Sequence, residues 1–257
     1  MKKINVNKLF DLTGKIAIVT GASRGLGKAM AIGLAQAGAD IVITDVLDTK
    51  KAVKEIESIG RKCFGIKVDI TNKKQIDAMV KKTVAKFKKI DILINNAGVY
   101  FPTPVKDLPD KSWDTILNIN LRGSMMCARA VGKQMIKQKS GNIINISSVA
   151  GIMAFGQSSA YNCSKAAIIM LTKTLATEWA SYNIRVNAIC PGIFVTDMTS
   201  GLLKDKGFQK MIKTSVSLGR YATPDELMGA AVYLASNASS YTTGHSLVAD
   251  GGWTIHL

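Results

Sequence analysis

Short runs of apolar, β-branched residues alternate along this chain with longer segments in which apolar residues recur every three or four positions. The short runs predict β-strands, and the longer segments predict amphipathic helices. The predicted strands cover residues 16–20, 40–44, 62–68, 92–95, 142–147, 184–190 and 246–249. Strands separated by helices run parallel, because a parallel pair needs a crossover connection. The pattern therefore predicts an α/β fold, a doubly wound parallel sheet of about seven strands with helices on both faces.

Length and composition favour a single domain. With 257 residues, 47% of them apolar, the chain can bury a full core, and no segment has the composition of an interdomain linker. We therefore expect one domain over residues 1–257. No uncharged apolar run reaches the length of about 18 residues that spans a membrane. The charged residues 1–7 also lack the apolar core of a signal peptide. We expect a cytoplasmic protein that does not bind membranes.

Cysteine usage and charge narrow the chemistry further. The four cysteines form no C-x-x-C pair and only two histidines are present, so we expect free thiols and no metal site. The net charge of +16 comes largely from lysines scattered along helical segments such as residues 73–89, where apolar residues keep their own stripe. No nucleic-acid recognition motif accompanies this charge, and we expect no nucleic-acid partner. The charge does favour anionic cofactors and substrates.

A glycine-rich turn follows the first predicted strand directly. Glycines at 21, 25 and 27 stand between that strand and a helical segment, in the sequence Gly-Ala-Ser-Arg-Gly-Leu-Gly. Glycine permits a tight turn and lets backbone N–H groups approach a diphosphate at a helix N-terminus, where the helix dipole favours negative charge. The turn predicts a dinucleotide site that includes Gly21, Ser23, Arg24, Gly25, Leu26 and Gly27.

A second group of polar residues follows the predicted strand at 142–147. Tyr161 and Lys165 are four residues apart in a helical segment and therefore lie on one helix face, while Ser148 stands at the end of the strand. A phenol, an amine and a hydroxyl gathered in this way are suited to proton transfer.

These residues resemble the short-chain dehydrogenase/reductase family in its one-domain form. The resemblance runs from Gly14 to Gly252 and rests on the T-G-x-x-x-G-x-G turn at residues 20–27, Asn-Asn-Ala-Gly at 95–98, Asn120, Ser148, Tyr-x-x-x-Lys at 161–165 and Pro-Gly at 191–192. It implies a Rossmann-type sheet and hydride transfer between a nicotinamide and a secondary alcohol or ketone. A protein of this type needs a group that exchanges a proton with the substrate oxygen.

The resemblance assigns that catalytic role to Asn120, Ser148, Tyr161 and Lys165. An unperturbed tyrosine has a pKa near 10, and a nearby cation such as Lys165 favours its phenolate. By resemblance, Lys165 also holds the nicotinamide ribose, Ser148 orients the substrate oxygen, and Asn120 distorts its helix and holds a water in a proton relay. Asn118 and Ser147 are the neighbouring alternatives, but the spacing to Tyr161 matches the family for Ser148.

Further cofactor contacts are implied by the same resemblance. An acid at Asp69 would accept a hydrogen bond from the adenine, although an aspartate before Thr71 and Asn72 is also typical of a turn or a helix cap. Small residues at the end of the fourth strand would let the cofactor lie against the backbone, and Thr196 would contact the carboxamide or the diphosphate. The implied contacts beyond the glycine turn and Asp45 are Asp69, Ile70, Asn96, Ala97, Gly98, Tyr161, Lys165, Pro191, Gly192, Phe194 and Thr196.

The choice between NAD and NADP depends on two residues of opposite charge. Asp45 ends the second strand about 20 residues past the glycine turn, where an acid can bind the ribose hydroxyls and repels a 2′-phosphate. Arg24 lies inside the turn, and in the family a basic residue there often accompanies NADP use. Because an unneutralised carboxylate facing a phosphate is costly, Asp45 favours NAD, with NADP as the less favoured cofactor.

The substrate is the least constrained part of the prediction. Residues 193–221 are expected to form a small substrate lid, and the candidate pocket residues are Gly151, Met153, Phe155, Gln157, Phe194, Met198 and Tyr221. The sequence resembles the sugar-acid and polyol branch of the family, such as gluconate 5-dehydrogenases. The first alternative is a 3-oxoacyl-(acyl-carrier-protein) reductase, for which Arg129, Lys133 and Lys137 would contact the acidic carrier. The second is a dinucleotide-sensing protein without turnover, although all four catalytic residues are present.

The family is mostly tetrameric, and we expect a homotetramer. The predicted helices over residues 113–139 and 159–181 have small residues suited to close packing, among them Ala166, Ala167, Ala176 and Ala180. The apolar C-terminal segment 253–257 would cover a neighbouring subunit's site or seal an interface.

Overall fold

Seven parallel strands form one sheet in the part of the chain that the structure describes, residues 5–255 of a computed structural model. The strands are β1 Ile16–Thr20, β2 Asp40–Asp45, β3 Cys63–Lys67, β4 Ile92–Asn95, β5 Gly141–Ile146, β6 Ile184–Pro191 and β7 Ser246–Ala249. Their spatial order is β3-β2-β1-β4-β5-β6-β7, and every pair is parallel. The predicted doubly wound sheet is confirmed. Residues 1–4 of the N-terminal segment and residues 256–257 of the predicted C-terminal segment lie outside the described residues.

Helices cover both faces of the sheet, as predicted. They are α1 Val6–Leu9, α2 Gly25–Gln36, α3 Lys50–Glu57, α4 Lys73–Phe87, α5 Asp110–Leu117, α6 Ser124–Gln138, α7 Ser159–Trp179, α8 Lys206–Ser215 and α9 Met228–Ala235. One apolar core forms where α2, α3 and α9 meet the sheet, and the other forms beneath α4, α6 and α7. Side chains of β1 alternate between them, since Ala17 and Val19 join the first core and Ile18 joins the second. A strand buried on both faces is apolar throughout, which explains the continuous run that predicted it.

The segment between β6 and α9 packs on the C-terminal end of the chain. Ile212 of α8 and Val216 after it form a small apolar cluster with Val149 and Trp253. The Trp253 ring, 6% exposed, also lies 4.9 Å from the ring of Phe155 between centroids. Trp253 is thus buried in its own chain instead of being free to cover a neighbour, while Ile255 remains 82% exposed.

Three features of residues 5–255 limit the chemistry of the protein: its cysteines, the apolar length of its helices and the grouping of its metal-binding side chains. Cys63, Cys127, Cys163 and Cys190 are all free. In residues 5–255 no helix is both long enough and apolar enough to cross a bilayer. Over the same residues no three metal-binding side chains gather closely enough to hold a metal ion.

Candidate active site

The predicted functional residues meet at the carboxyl edge of the sheet. The glycine turn follows β1, the Asn-Asn-Ala-Gly segment follows β4, Ser148 follows β5, and Gly192 follows β6. All four strands are parallel neighbours, so these segments share one edge. The strand order reverses between β1 and β4, which is where a parallel sheet of this type opens a crevice for a ligand.

The glycine turn has the close packing that a dinucleotide site needs. Gly21 adopts a left-handed φ of 62°. A Cβ atom on Gly27 would overlap the carbonyl oxygen of Gly21 and the amide nitrogen of Asn96. Asn96 Nδ2 donates to the carbonyls of Thr20 and Gly21, both at 2.9 Å, and so holds the turn against the end of β4. No side chain caps the start of α2, whose N–H groups are therefore available to a diphosphate.

Asp45 is buried at the end of β2, and Ser23 holds it there. The backbone N–H and the hydroxyl of Ser23 both donate to Asp45 Oδ2, at 3.0 and 2.7 Å, and the N–H of Leu47 donates to Oδ1 at 3.0 Å. The side chain is only 8% exposed. A carboxylate offers about four acceptor positions, so Oδ1 keeps acceptor capacity for ribose hydroxyls. The turn and the acid are therefore one preformed unit.

Arg24 is paired across the crevice. Its Nη1 lies 2.8 Å from Asp197 Oδ2, in the segment that follows β6, and both side chains are well exposed. A Cβ on Gly25 would lie 3.7 Å from Thr196 Cγ2, so the glycine turn and the segment after β6 face each other closely. The sequence did not indicate this partner for Arg24, because 173 positions separate the two residues.

The other predicted cofactor residues lie along the same crevice, but two of them face inward. Ile70 is 6% exposed and Phe194 is 4% exposed, and both side chains belong to the apolar cores. Any contact from these two residues would come from the backbone. Gly192 packs against Asp250, since a Cβ there would lie 2.7 Å from the Asp250 Cα. Pro191 ends β6 beside it, and Ala97 and Gly98 continue from β4.

Asp69 makes the turn that its sequence context also allowed. Its Oδ1 accepts from the backbone N–H and the hydroxyl of Thr71, at 2.8 and 2.7 Å. The N-cap of α4 is Asn72, whose side chain accepts from Gln75. Contact of Asp69 with adenine therefore remains a prediction that would use its second oxygen.

Asn120 lies in a widened turn between α5 and α6 that covers Asn118–Gly123. Such wide turns disrupt the regular helix pattern and are frequent at functional sites. The buried carboxamide bonds the backbone of Val99 in both directions, accepting from its N–H at 2.8 Å and donating to its carbonyl at 3.0 Å. It also donates to Ser164 Oγ at 3.2 Å. Asn118, the neighbouring alternative, instead pairs with Arg122 at the surface.

Ser148 and Ser147 point to different places. Ser148 Oγ accepts from the N–H of Ala150 at 3.1 Å and lies close enough to Tyr161 to lower the pKa of its phenol. Ser147 is buried and donates to the backbone carbonyl of Lys165 at 2.7 Å. Ser148 therefore lies near Tyr161, and Ser147 holds α7 through the backbone of Lys165.

Lys165 is buried beneath Tyr161, and its ammonium group has more N–H donors than the protein uses. The side chain is 5% exposed, and its Nζ donates to the carbonyl of Ile146 at 2.8 Å. The same Nζ lies 5.5 Å from the centre of the Tyr161 ring. A Cβ on Gly98 would come within 3.7 Å of the Nζ and 3.1 Å of Asn120 Oδ1. An ammonium has three N–H donors, so two remain for a ribose and a water.

Comparison with known proteins shows which family the chain belongs to. A family model described as enoyl-(acyl carrier protein) reductase matches residues 21–254. The 2-dehydro-3-deoxy-D-gluconate 5-dehydrogenase of Dickeya dadantii (strain 3937) is 39% identical over 245 residues, covering 95% of this chain and 97% of that protein. The chain belongs to the short-chain dehydrogenase/reductase family.

Two further members of the short-chain dehydrogenase/reductase family show its breadth. The 3-oxoacyl-(acyl-carrier-protein) reductase of Synechocystis sp. (strain ATCC 27184 / PCC 6803 / Kazusa) is 40% identical over 248 residues, covering 95% of this chain and 98% of that protein. A crystal structure of a gluconate 5-dehydrogenase from Burkholderia cenocepacia J2315 in complex with NADP and tartrate matches with a TM-score of 0.95 and 36% identity, covering 98% of this chain and 100% of that one. As a short-chain dehydrogenase/reductase, the protein is an NAD(P)-dependent oxidoreductase that acts on CH–OH groups.

Burial dominates the protonation of the catalytic pair. Desolvation raises the pKa of Tyr161 to about 12, opposed by its hydrogen bond with Ser148, and the neighbouring Tyr100 adds to the increase. Desolvation lowers the pKa of Lys165 to about 8, and the Cys190 thiol partly opposes this change. The sequence predicted that Lys165 would favour the phenolate, but burial of the phenol has the largest effect on the pKa of Tyr161 in the protein alone. At neutral pH the pair therefore consists of a neutral phenol and an ammonium.

Tyr100 is a site residue that sequence reasoning missed. It comes two positions after Gly98, and its ring meets the Tyr161 ring at 5.0 Å between centroids and an angle of 64°. Nothing in the family motif points to this position, and a single tyrosine in a loop carries no pattern of its own. Its hydroxyl lies 3.1 Å from Ser158 Oγ.

Proposed function

We propose that the protein interconverts a secondary alcohol and a ketone of a sugar acid or a related polyhydroxy acid, with NAD as the favoured cofactor. The observation that carries this proposal is the meeting of Tyr161, Ser148 and Lys165 opposite the glycine turn at one edge of the sheet. Relatives named as gluconate or deoxygluconate dehydrogenases support the substrate class, and tartrate bound to one of them is itself a hydroxylated acid.

The cleft fits a nicotinamide dinucleotide, because the glycine turn leaves no room for a Cβ and the first N–H groups of α2 lack side-chain caps. When bound, the nicotinamide accepts or returns a hydride at C4. Asp45 would hold the adenosine ribose, and Lys165 the nicotinamide ribose. Thr196 and the backbone at Gly192 would enclose the other end of the cofactor.

Proton transfer falls to Tyr161 in this mechanism. In ketone reduction, the carbonyl carbon gains the hydride while the Tyr161 hydroxyl gives its proton to the developing alkoxide; alcohol oxidation reverses both movements. Ser148 donates a hydrogen bond to the substrate oxygen as its charge develops. Lys165 keeps positive charge below the phenol, and Asn120 extends the relay towards solvent. A neutral Tyr161 phenol suits reduction of the ketone. Oxidation of the alcohol needs the Tyr161 phenolate, which further positive charge near the phenol has to stabilise.

The preference for NAD is proposed from the charges around the ribose. Asp45 places a buried carboxylate there, and the candidate cation of the glycine turn, Arg24, is paired with Asp197. We expect Asp45→Asn to raise the ratio of kcat/KM with NADPH to that with NADH by roughly tenfold, because it removes the like-charge repulsion and keeps the shape of the side chain. Initial rates with both reduced cofactors measure this ratio.

Two matched variants make this cofactor test specific. Asp48→Asn changes a nearby surface carboxylate that caps α3 through Lys50, and it should leave the ratio unchanged. Asp197→Asn should release Arg24 and favour NADPH by a smaller factor, since the pair is exposed. An unchanged ratio in Asp45→Asn would mean that Asp45 does not face the 2′ position.

A substrate comparison tests the proposed class. With NADH as reductant, we expect a 5-keto sugar acid to be reduced with a kcat/KM at least about tenfold above that of an acetoacetyl thioester, a difference of about 1.4 kcal/mol in transition-state binding. The alternative is the acyl-carrier reductase, favoured by the exposed Arg129, Lys133 and Lys137 on α6. Preference for the thioester, with NADPH, would support that alternative and reject the sugar-acid proposal.

We further propose that residues 193–221 close over the substrate as a lid and that the chain forms a homotetramer. The candidate pocket residues Met198 and Tyr221 on this segment are 49% and 42% exposed, so they are free to contact a substrate. Ala166 and Met170 on α7 and Ala180 just after it are exposed and available to a second subunit, whereas Ala176 is buried in its own core. The four free cysteines favour a reducing compartment such as the cytoplasm.

A further inference from the structure

The loop between β4 and α5 carries a second phenol to the edge of the catalytic site. The Tyr100 ring packs edge-on against the Tyr161 ring, with 5.0 Å between centroids. Tyr100 also disfavours the charged form of Tyr161, since it raises the pKa of that phenol. Tyr100 is half-buried, so part of its surface is accessible beside the Tyr161 ring.

The direction of the hydrogen bonds at Tyr100 can be worked out from its partners. Ser158 Oγ donates to the carbonyl of Gly156 at 3.1 Å, and a carbonyl can only accept. A serine hydroxyl has a single hydrogen, so it cannot also donate to Tyr100. When Ser158 donates to Gly156, the 3.1 Å contact between Tyr100 Oη and Ser158 Oγ uses the hydrogen of Tyr100. The phenolic oxygen of Tyr100 is left as a hydrogen-bond acceptor.

The position of this acceptor is fixed by the surrounding backbone. The N–H of Thr103 donates to the carbonyl of Gln157 at 2.7 Å, which ties the loop after β4 to the loop before α7. Gln157 adopts a left-handed φ of 59°, a conformation that non-glycine residues seldom take. Ser158 is buried at 4% exposure, so the anchor of the Tyr100 hydroxyl does not depend on a mobile surface side chain. The two loops form one wall beside Tyr161.

We propose that Tyr100 is a specificity-determining residue whose phenolic oxygen accepts a hydrogen bond from a substrate hydroxyl close to the reacting carbon. This inference rests on the proposed function, because it requires a polyhydroxy substrate. An acceptor at this place favours substrates with a neighbouring hydroxyl, whereas a 3-oxoacyl thioester offers only a methylene and a carbonyl there. Tyr100 thus selects the substrate class, and Tyr161 performs the proton transfer.

A double-mutant cycle between enzyme and substrate tests this contact. Wild type and Tyr100→Phe are compared on a sugar acid and on its deoxy analogues, each lacking one hydroxyl near the reacting carbon. In the wild type, one analogue should lose about fivefold in kcat/KM, the usual effect of one neutral hydrogen bond. Tyr100→Phe should lose about the same factor on the parent sugar acid, mainly through KM, and should not distinguish that analogue from the parent.

Controls separate the contact from a general loss of structure. Tyr241→Phe changes a fully exposed tyrosine and should match the wild type on every substrate. Unaltered NADH affinity in Tyr100→Phe shows that the site is intact. If every analogue loses the same factor in both proteins, the contact does not exist and the inference is overturned. If the wild type reduces no sugar acid, the proposed function fails first, and the inference fails with it.

Discussion

Replacing Tyr161 by phenylalanine is expected to lower kcat about 10³-fold, because a positioned acid or base contributes about 10²- to 10⁴-fold to a proton-transfer step. The change removes one oxygen and keeps the ring that packs against Tyr100. Affinity for NADH should stay within about twofold, since Lys165 and the glycine turn are untouched. Steady-state rates and fluorescence titration with NADH measure the two quantities.

Tyr182→Phe is the matched control for this variant. Tyr182 lies just after α7 at 40% exposure, and its loss of a hydroxyl should change neither quantity. A Tyr161→Phe protein that kept a tenth of wild-type turnover would show that another group supplies the proton. A wild-type protein that bound NADH and turned over no carbonyl substrate would instead support the dinucleotide-sensing alternative.

Lys165→Met is expected to abolish most activity and yet to increase the free energy of unfolding at pH 7. Burial lowers the pKa of Lys165 to about 8 from its ordinary value of 10.5, so the charged form is penalised in the folded protein. That difference corresponds to about 3 kcal/mol. Methionine removes the penalty but leaves the Ile146 carbonyl without its donor, at a cost of about 1 kcal/mol. We expect a net stabilisation of about 2 kcal/mol, measured by urea unfolding.

The pH dependence of this gain follows from the direction of the shift. Between about pH 8 and pH 10.5 the unfolded chain holds the Lys165 proton while the folded protein releases it, so wild-type stability rises with pH relative to the variant. Below pH 8 both states hold the proton, and the full penalty is present. The gain of Lys165→Met should therefore shrink above about pH 8 and reverse near pH 10, where the remaining penalty falls below the cost of about 1 kcal/mol for the lost hydrogen bond.

Lys173→Met, on the exposed side of the same helix, provides the comparison. It should change stability little at either pH. If Lys165→Met were less stable than the wild type by the same amount at pH 7 and pH 10, the lysine would carry no burial penalty. The lowered pKa of Lys165 would then be wrong, and so would the account of the charge that this lysine carries beneath Tyr161.

Local sequence signals were sufficient for the sheet and for much of the site. The central strands β1, β2 and β4 are buried on both faces and therefore appear as apolar runs, and β1 with its glycine turn is defined within residues 16–27. The four-residue spacing of Tyr161 and Lys165 places them on one face of α7 without further information. The wide turn at Asn120 agrees with the expectation that this helix is distorted. The amide of Asn95 links β4 to β5 by donating a hydrogen bond to Asn145.

Contacts between distant segments could not be obtained in this way. Arg24 meets Asp197, and Trp253 packs under α8, because the fold brings separate loops to one edge. Residue type alone predicts a solvated cation at Arg24, and it predicts that the apolar segment 253–257 contacts a neighbouring subunit. Tyr100 was missed for the same reason. The inward orientation of Phe194, predicted to contact cofactor and substrate, depends on how the segment after β6 crosses the first apolar core.

The central claim is that the nicotinamide and the reacting carbonyl meet at Tyr161, opposite the glycine turn. A crystal structure of the protein with NADH and an unreactive sugar-acid analogue tests it most directly. We predict that nicotinamide C4 lies about 3.5 Å from the reacting carbon, with the substrate oxygen within hydrogen-bond distance of both Tyr161 and Ser148. A nicotinamide ring placed away from Tyr161, or an analogue whose oxygen contacts neither hydroxyl, would contradict the account.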